Sequence, residues 1–202
     1  INKRLKKSKL LNDIIFAIPN NKRNEKLKLH LEQSKIKFFC GSEDNVLKRY
    51  LDCSKKFKAD IIVRITADCP FVDCNLLDQM LFDFLKFKKI DYYSNVNPAT
   101  YPNGLDIEIF TYSGLHKVYK DCKNSFGKEH VTPFFKISNK IKFKNKFNEE
   151  NLSKLRLTLD LKNDYNLIKK IFKIFKYNYN ISILKNLNNK KIINLFIKDI
   201  KK

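Results

Sequence analysis

Short runs of β-branched and aromatic residues alternate along the chain with longer stretches whose apolar residues recur every three or four positions. That alternation is the sequence form of a mostly parallel sheet covered by helices. Strand patterns fall at 13–18, 36–40, 60–66, 91–94, 107–110, 141–147 and 155–159, and segments of helical period separate the first four. Leu77, Met80, Leu81, Phe84 and Leu85 form one apolar stripe, with Asp73 or Asn75 placed to cap the preceding turn. Leu167, Ile168, Ile171, Phe172 and Phe175 form another, and both read as core faces. The main break in periodicity, 94–104, is rich in turn formers and flanked by strand patterns, which predicts an ordered loop over a site. No repeat or linker interrupts the pattern. The lysine- and asparagine-rich tail after Tyr177 keeps apolar residues at helical spacing, so 1–202 reads as one α/β domain.

Composition supports a globular chain: 202 residues, 43% of them hydrophobic, suffice for one sizeable core. A formal net charge of +21 invites a nucleic-acid or anionic-surface reading. Only five of the 42 basic residues are arginine, however, and the 37 lysines are dispersed along the whole chain. Arginine is the residue of bidentate phosphate and base contacts, so a solvated lysine-rich surface is favoured over nucleic-acid binding. Five cysteines without a Cys-x-x-Cys spacing point to reduced thiols in a cytoplasmic protein rather than a zinc site. No apolar run is long enough to span a bilayer, and the start carries no secretory signal. The first residue is not methionine, from which we expect the natural start to lie upstream.

Candidate chemistry begins where the strand pattern at 60–66 runs into Ala67-Asp-Cys-Pro70. Ligands of open parallel sheets bind outside the carboxyl ends of the strands, so Asp68 is expected at the end of a central strand, where it can anchor a divalent cation. A turn-forming or capping aspartate is the competing reading. Asp160 ends the 155–159 pattern in the same way, and the two could meet on one magnesium ion if their strands are neighbours. Asp164 reads as structural, an acid in the first turn of the following helix.

Five segments then form an ordered set: Gly41-Ser-Glu-Asp-Asn-Val-Leu-Lys-Arg-Tyr50, Arg64-Ile-Thr-Ala-Asp-Cys-Pro70, Thr100-Tyr-Pro-Asn-Gly-Leu-Asp-Ile-Glu-Ile-Phe110, Lys128-Glu-His-Val-Thr-Pro133 and Leu157-Thr-Leu-Asp160. In order and spacing they resemble the spore-coat polysaccharide cytidylyltransferases, SpsF-like relatives of the CMP-sugar-acid synthetases, over roughly residues 10 to 175. The resemblance implies a three-layer Rossmann-like nucleotidyltransferase of the GT-A type with a mainly parallel central sheet. It also implies magnesium, and the conversion of CTP plus a sugar to a CMP-sugar and pyrophosphate for surface polysaccharide synthesis. Asp68 and Asp160 match the metal positions of the wider group, with Asp68 central to catalysis. Gly41, Asp44 and Arg64 fall on the nucleotide side, although a helix-capping turn led by Ser42 explains the first two as well.

Tyr101, Gly104, Asp106 and Glu108 fall where relatives receive the sugar. Gly104 would let backbone approach the ligand, and the alternation of Asp106 and Glu108 puts two carboxylates on one strand face. A solvent-facing strand edge is the alternative for that pair. His130 is placed to bind substrate or move a proton, with a capping or core histidine as the alternative. Ala67 stands where the family usually has glycine, and the family's first strand and basic nucleotide-binding loop lie outside this sequence. We therefore expect the chain as it stands to be inactive alone. Expected partners are CTP and a sugar, with a homodimer as the assembly common among relatives. A GT-A glycosyltransferase using a nucleotide-sugar and a basic nucleic-acid or anionic-surface binding module are the competing functions.

Overall fold

The computed structural model describes residues 1–174. Phe175 and the tail after Tyr177 lie outside the described residues. After a short helix α1 (Asn2–Leu5), the chain forms β1 (Phe16–Pro19), α2 (Glu25–Gln33), β2 (Phe38–Gly41), α3 (Val46–Lys56) and β3 (Ile61–Arg64). It continues through α4 (Cys74–Lys86), β4 (Tyr92–Ser94), β5 (Glu108–Thr111), α5 (Tyr112–Asp121), α6 (Ser125–His130), α7 (Pro133–Ile137), β6 (Phe143–Asn145) and α8 (Lys162–Ile174).

β1 and β2 pair in parallel. A second sheet has the order β3-β5-β4-β6, in which β5 runs against both neighbours while β4 and β6 are parallel. Three of its four strands thus share a direction, and the reversed β5 between β3 and β4 makes the sheet mixed. β3 stands at one end of this sheet rather than in its middle. Because successive strand residues face opposite sides, adjacent positions separate into two cores. Tyr93 and Ile109 face a cluster built on Leu77, Met80 and Phe84 of α4. Tyr92 and Phe110 face one built on Leu47, Leu115 and Phe135 of α3, α5 and α7. Helices on both faces make the three layers.

Local signals account for most element ends. Asp73 caps α4, accepting from the N–H groups of Asn75 and Leu76. The first four stripe residues of α4 are buried, but Leu85 is 61% exposed and points away from the sheet. In α8, Leu167, Ile168 and Ile171 are buried, and the Phe172 ring stacks on Phe71 at 4.9 Å. Asp164 accepts from the N–H groups of Asp160 and Leu161, holding the start of this helix. The cap of α3 is Asn45, which accepts from Lys48, while Ser42 holds the turn before it by accepting from Asn45.

The pattern at 155–159 does not form a strand. Its bonds go to loops on either side: Asn103 N–H to Leu155 O at 2.9 Å, Leu157 N–H to Asn103 O at 2.7 Å and Leu159 N–H to Asp68 O at 2.8 Å. One bridge, Asn103 with Arg156, replaces the ladder that the alternating leucines suggested. Loops clamp the segment in place of neighbouring strands.

Candidate active site

The antiparallel register of β3 and β5 sets Arg64 opposite Glu108. Glu108 is 4% exposed, pairs with the Arg64 guanidinium and accepts from the Tyr92 hydroxyl at 2.6 Å. A charge this deep persists only when paired and hydrogen-bonded, and these three side chains supply both conditions. Among the described residues, Arg64 Nε is buried without a hydrogen-bond partner. The Arg64 guanidinium also faces the Tyr50 ring, 5.9 Å from its centroid.

Asp106 is presented by a clamp at the end of the neighbouring strand β4. The buried amide of Asn95 donates to Leu105 O at 2.9 Å and accepts from Ile107 N–H at 2.8 Å, fixing the backbone on both sides of Asp106. Burial pushes the Asp106 carboxyl up to about 6, with the Glu108 charge adding to the effect and a hydrogen bond from the Gly104 backbone opposing it. Asp106 and Glu108 line one cleft of about 240 Å³, together with Arg64, Thr66 and Val96 from the sheet side. His130, Thr132 and Lys136 close it from α6, α7 and the turn between them. Burial lowers the Lys136 ammonium's pKa, partly offset by Glu108.

Four residues singled out in the sequence therefore meet: Arg64, Asp106, Glu108 and His130. His130 is exposed at the end of α6, its ring 4.5 Å from that of Phe126. Asp68 lies four residues past the end of β3, half-buried beside this cleft, and its charge contributes to the Asp106 shift. The backbone bond from Leu159 to Asp68 brings the 155–160 segment to the same place. Asp160 is exposed, accepting from Arg156 at 2.6 Å and from the Thr158 hydroxyl at 2.8 Å. Those two contacts hold its carboxyl below the ordinary range, Arg156 first.

The other expected residues have different surroundings. Tyr101 is 6% exposed in the α4 core, with its hydroxyl toward Phe147 O at 3.4 Å, so it is packing rather than cleft wall. Gly104 has φ +100°, and an added Cβ would lie 2.7 Å from the Leu157 carbonyl carbon. The close approach it permits is to the chain's own backbone. Gly41 ends β2, where a Cβ would meet the Arg49 and Phe39 side chains at 2.8 Å, and Asp44 is exposed in the turn before α3. Neither lines the cleft.

Sequence reasoning missed Thr66, Val96, Thr132 and Lys136 as cleft residues. Thr66 and Thr132 stood inside quoted motifs, whereas nothing distinguished Lys136 from the other lysines. Cys69 touches the same region, but burial pushes its thiol up to about 12, so it is no thiolate nucleophile. Among the described residues, no three His, Cys, Asp or Glu side chains gather closely enough to hold a metal by themselves. Nor is any described helix long and apolar enough to cross a membrane.

Comparison with known proteins gives this arrangement a context, since the cytidylyltransferase family profile matches residues 1–197. The chain belongs to the cytidylyltransferase family. It is a nucleotidyltransferase enzyme by that membership. Protein MJ1063 of Methanocaldococcus jannaschii, itself uncharacterized, is 36% identical over 85% of this chain and 70% of its own length. The spore coat polysaccharide biosynthesis protein SpsF of Bacillus subtilis is 28% identical over 79% of this chain and 67% of its own. A cytidylyltransferase from Leptospira borgpetersenii superimposes with a TM-score of 0.89 at 32% identity, covering 96% of this chain and 82% of that one. A CMP:2-keto-3-deoxy-manno-octonic acid synthetase solved with CTP shares the fold, with a TM-score of 0.60 at 9% identity over 88% and 86% of the two chains.

Proposed function

We propose that this cytidylyltransferase activates a sugar for surface polysaccharide synthesis, converting CTP and the sugar to a CMP-sugar and pyrophosphate. The carrying observation is the convergence of Arg64, Asp106, Glu108, His130 and Lys136 on a sugar-sized cleft, with Asp68 beside it. A sugar hydroxyl attacks the α-phosphorus of CTP, the new O–P bond forms as the bond to pyrophosphate breaks, and the hydroxyl proton passes to the protein or to solvent. Asp106, poised near neutrality, and His130 are the groups positioned to take that proton. Arg64 and Lys136 supply donors to ligand oxygens. Thr66 and Thr132 add hydroxyls, and the buried Glu108 is spent on holding Arg64.

The Leu159 to Asp68 backbone bond sets the Asp68 turn beside the segment that ends in Asp160, and magnesium takes one or two protein oxygens and fills its shell from phosphates and water. Asp68 and Asp160 would hold it. Bound there, the ion would neutralise charge on the phosphates. A cytoplasmic enzyme accords with the use of CTP, and a homodimer is the assembly we expect.

The test is to incubate protein expressed from its complete reading frame with CTP, magnesium and a panel of sugar acids and aminosugars, identifying products by mass spectrometry. A CMP-sugar supports the reading. Transfer of a sugar from a nucleotide-sugar, with no CMP-sugar formed, would replace it with the glycosyltransferase alternative.

A further inference from the structure

Between the two helices that close the cleft, Val131 has φ 69° and ψ −59°. Its flanking residues form a three-residue turn, Thr132 N–H donating to His130 O at 2.8 Å. This is the γ-turn of positive φ, rare for any L-residue and an outlier for a β-branched one. Glycine would adopt it freely. A valine there means that the surroundings over-determine the backbone, and the surroundings are visible: the side chain is 0% exposed, clustered with Leu115, Val118, Phe135 and Ile141.

The turn has a consequence for the site. Helical residues two apart project about 200° from one another, so continuing α6 would send Thr132 away from the side that His130 faces. Instead both line the cleft while Val131 between them enters the core. The turn is tied at both ends, Val131 N–H to Gly127 O at 3.0 Å and Phe135 N–H to Thr132 O at 3.1 Å. We propose that Val131 is a positioning residue: its buried side chain pins a strained γ-turn that aims His130 and Thr132 together into the cleft. Its catalytic consequence rests on the reading of that cleft as the sugar site, whereas the pinning does not.

The experiment compares Val131→Gly, Val131→Ala and Val131→Ile in the full chain. Hydrogen exchange at the Thr132 amide reads the turn directly. Exchange should be slow in the parent and in the isoleucine variant, and about tenfold or more faster in the glycine and alanine variants, while amides of α5 keep their rates. With sugar and CTP, the two small variants should raise KM for the sugar about tenfold or more with KM for CTP little changed, and isoleucine should restore it. Glycine relieves the backbone strain as it removes the anchor, so it guards against an alanine variant that fails to fold. Unchanged Thr132 exchange in a folded glycine variant would overturn the proposal. Altered exchange with an unaltered sugar KM would confine it to the turn and remove the catalytic part. Absence of sugar turnover in the parent would count against the proposed function and leave the exchange result to decide the pinning.

Discussion

Replacing Asp106 with asparagine removes one titration from the cleft and leaves the shape nearly unchanged. In the fold this carboxyl is pushed from the ordinary 3.8 to about 6, by burial first and by Glu108 second. Between those values the folded protein keeps a proton that the unfolded chain has released, so stability falls as pH rises from about 4 to about 6 and then levels off. Each pKa unit is worth about 1.4 kcal/mol, which sets an upper bound on the order of 3 kcal/mol, and water reaching the open cleft brings the cost nearer to about 2 kcal/mol. Asp106→Asn should match the parent near pH 4 and exceed it by about 2 kcal/mol above pH 7, while binding sugar less well. Urea unfolding followed by circular dichroism, in chelator to exclude divalent ions, measures the difference at each pH and cancels the titration of groups that do not interact with Asp106. Equal or lower stability of the variant above pH 7, or a difference that does not grow between pH 4 and 6, would refute the reasoning.

Glu108→Ala should destabilise the protein by about 3–5 kcal/mol in urea, since it strands the Arg64 guanidinium and orphans the Tyr92 hydroxyl in a buried network. Gly104→Ala should lose about 2–4 kcal/mol in the same assay, from positive φ and from overlap with the Leu157–Thr158 backbone.

Much of the frame was legible because apolar period reports which face an element buries. The stripe of α4 follows from it directly in Leu77, Met80, Leu81 and Phe84. The same signal misled at 155–159, where Leu155, Leu157 and Leu159 alternate but Asn103 and Asp68 take the backbone bonds. Alternation reports side-chain direction and carries nothing about the partner. Nor does it carry strand direction, so the reversed β5, which brings Glu108 to Arg64, was invisible. Asp106 and Glu108 were singled out by their place in the family motif and by an alternation that puts both on one face, and both line the cleft. Asn95 was passed over as a turn former although its amide sets Asp106, because a buried backbone clamp looks the same in sequence as an exposed bend. Tyr101 and Gly104 were assigned to the ligand by their place in a motif shared with relatives, which carries no side-chain direction. Packing used one as core and the other to seat Leu157. Val131 offered no signal, since its peculiarity lies in a dihedral angle that composition does not encode.

The most direct test of the account is pyrophosphate release from CTP by the parent protein and by Asp68→Asn, each expressed from its complete reading frame and supplied with its sugar. Asp68 stands at the crossing of the β3 turn and the 155–160 segment, and its charge reaches the cleft. The substitution keeps the side-chain volume and removes the charge. The account predicts magnesium-dependent release by the parent and a loss of about a hundredfold or more in kcat for the variant, with an unchanged urea midpoint. Undiminished release by Asp68→Asn at low magnesium would contradict it.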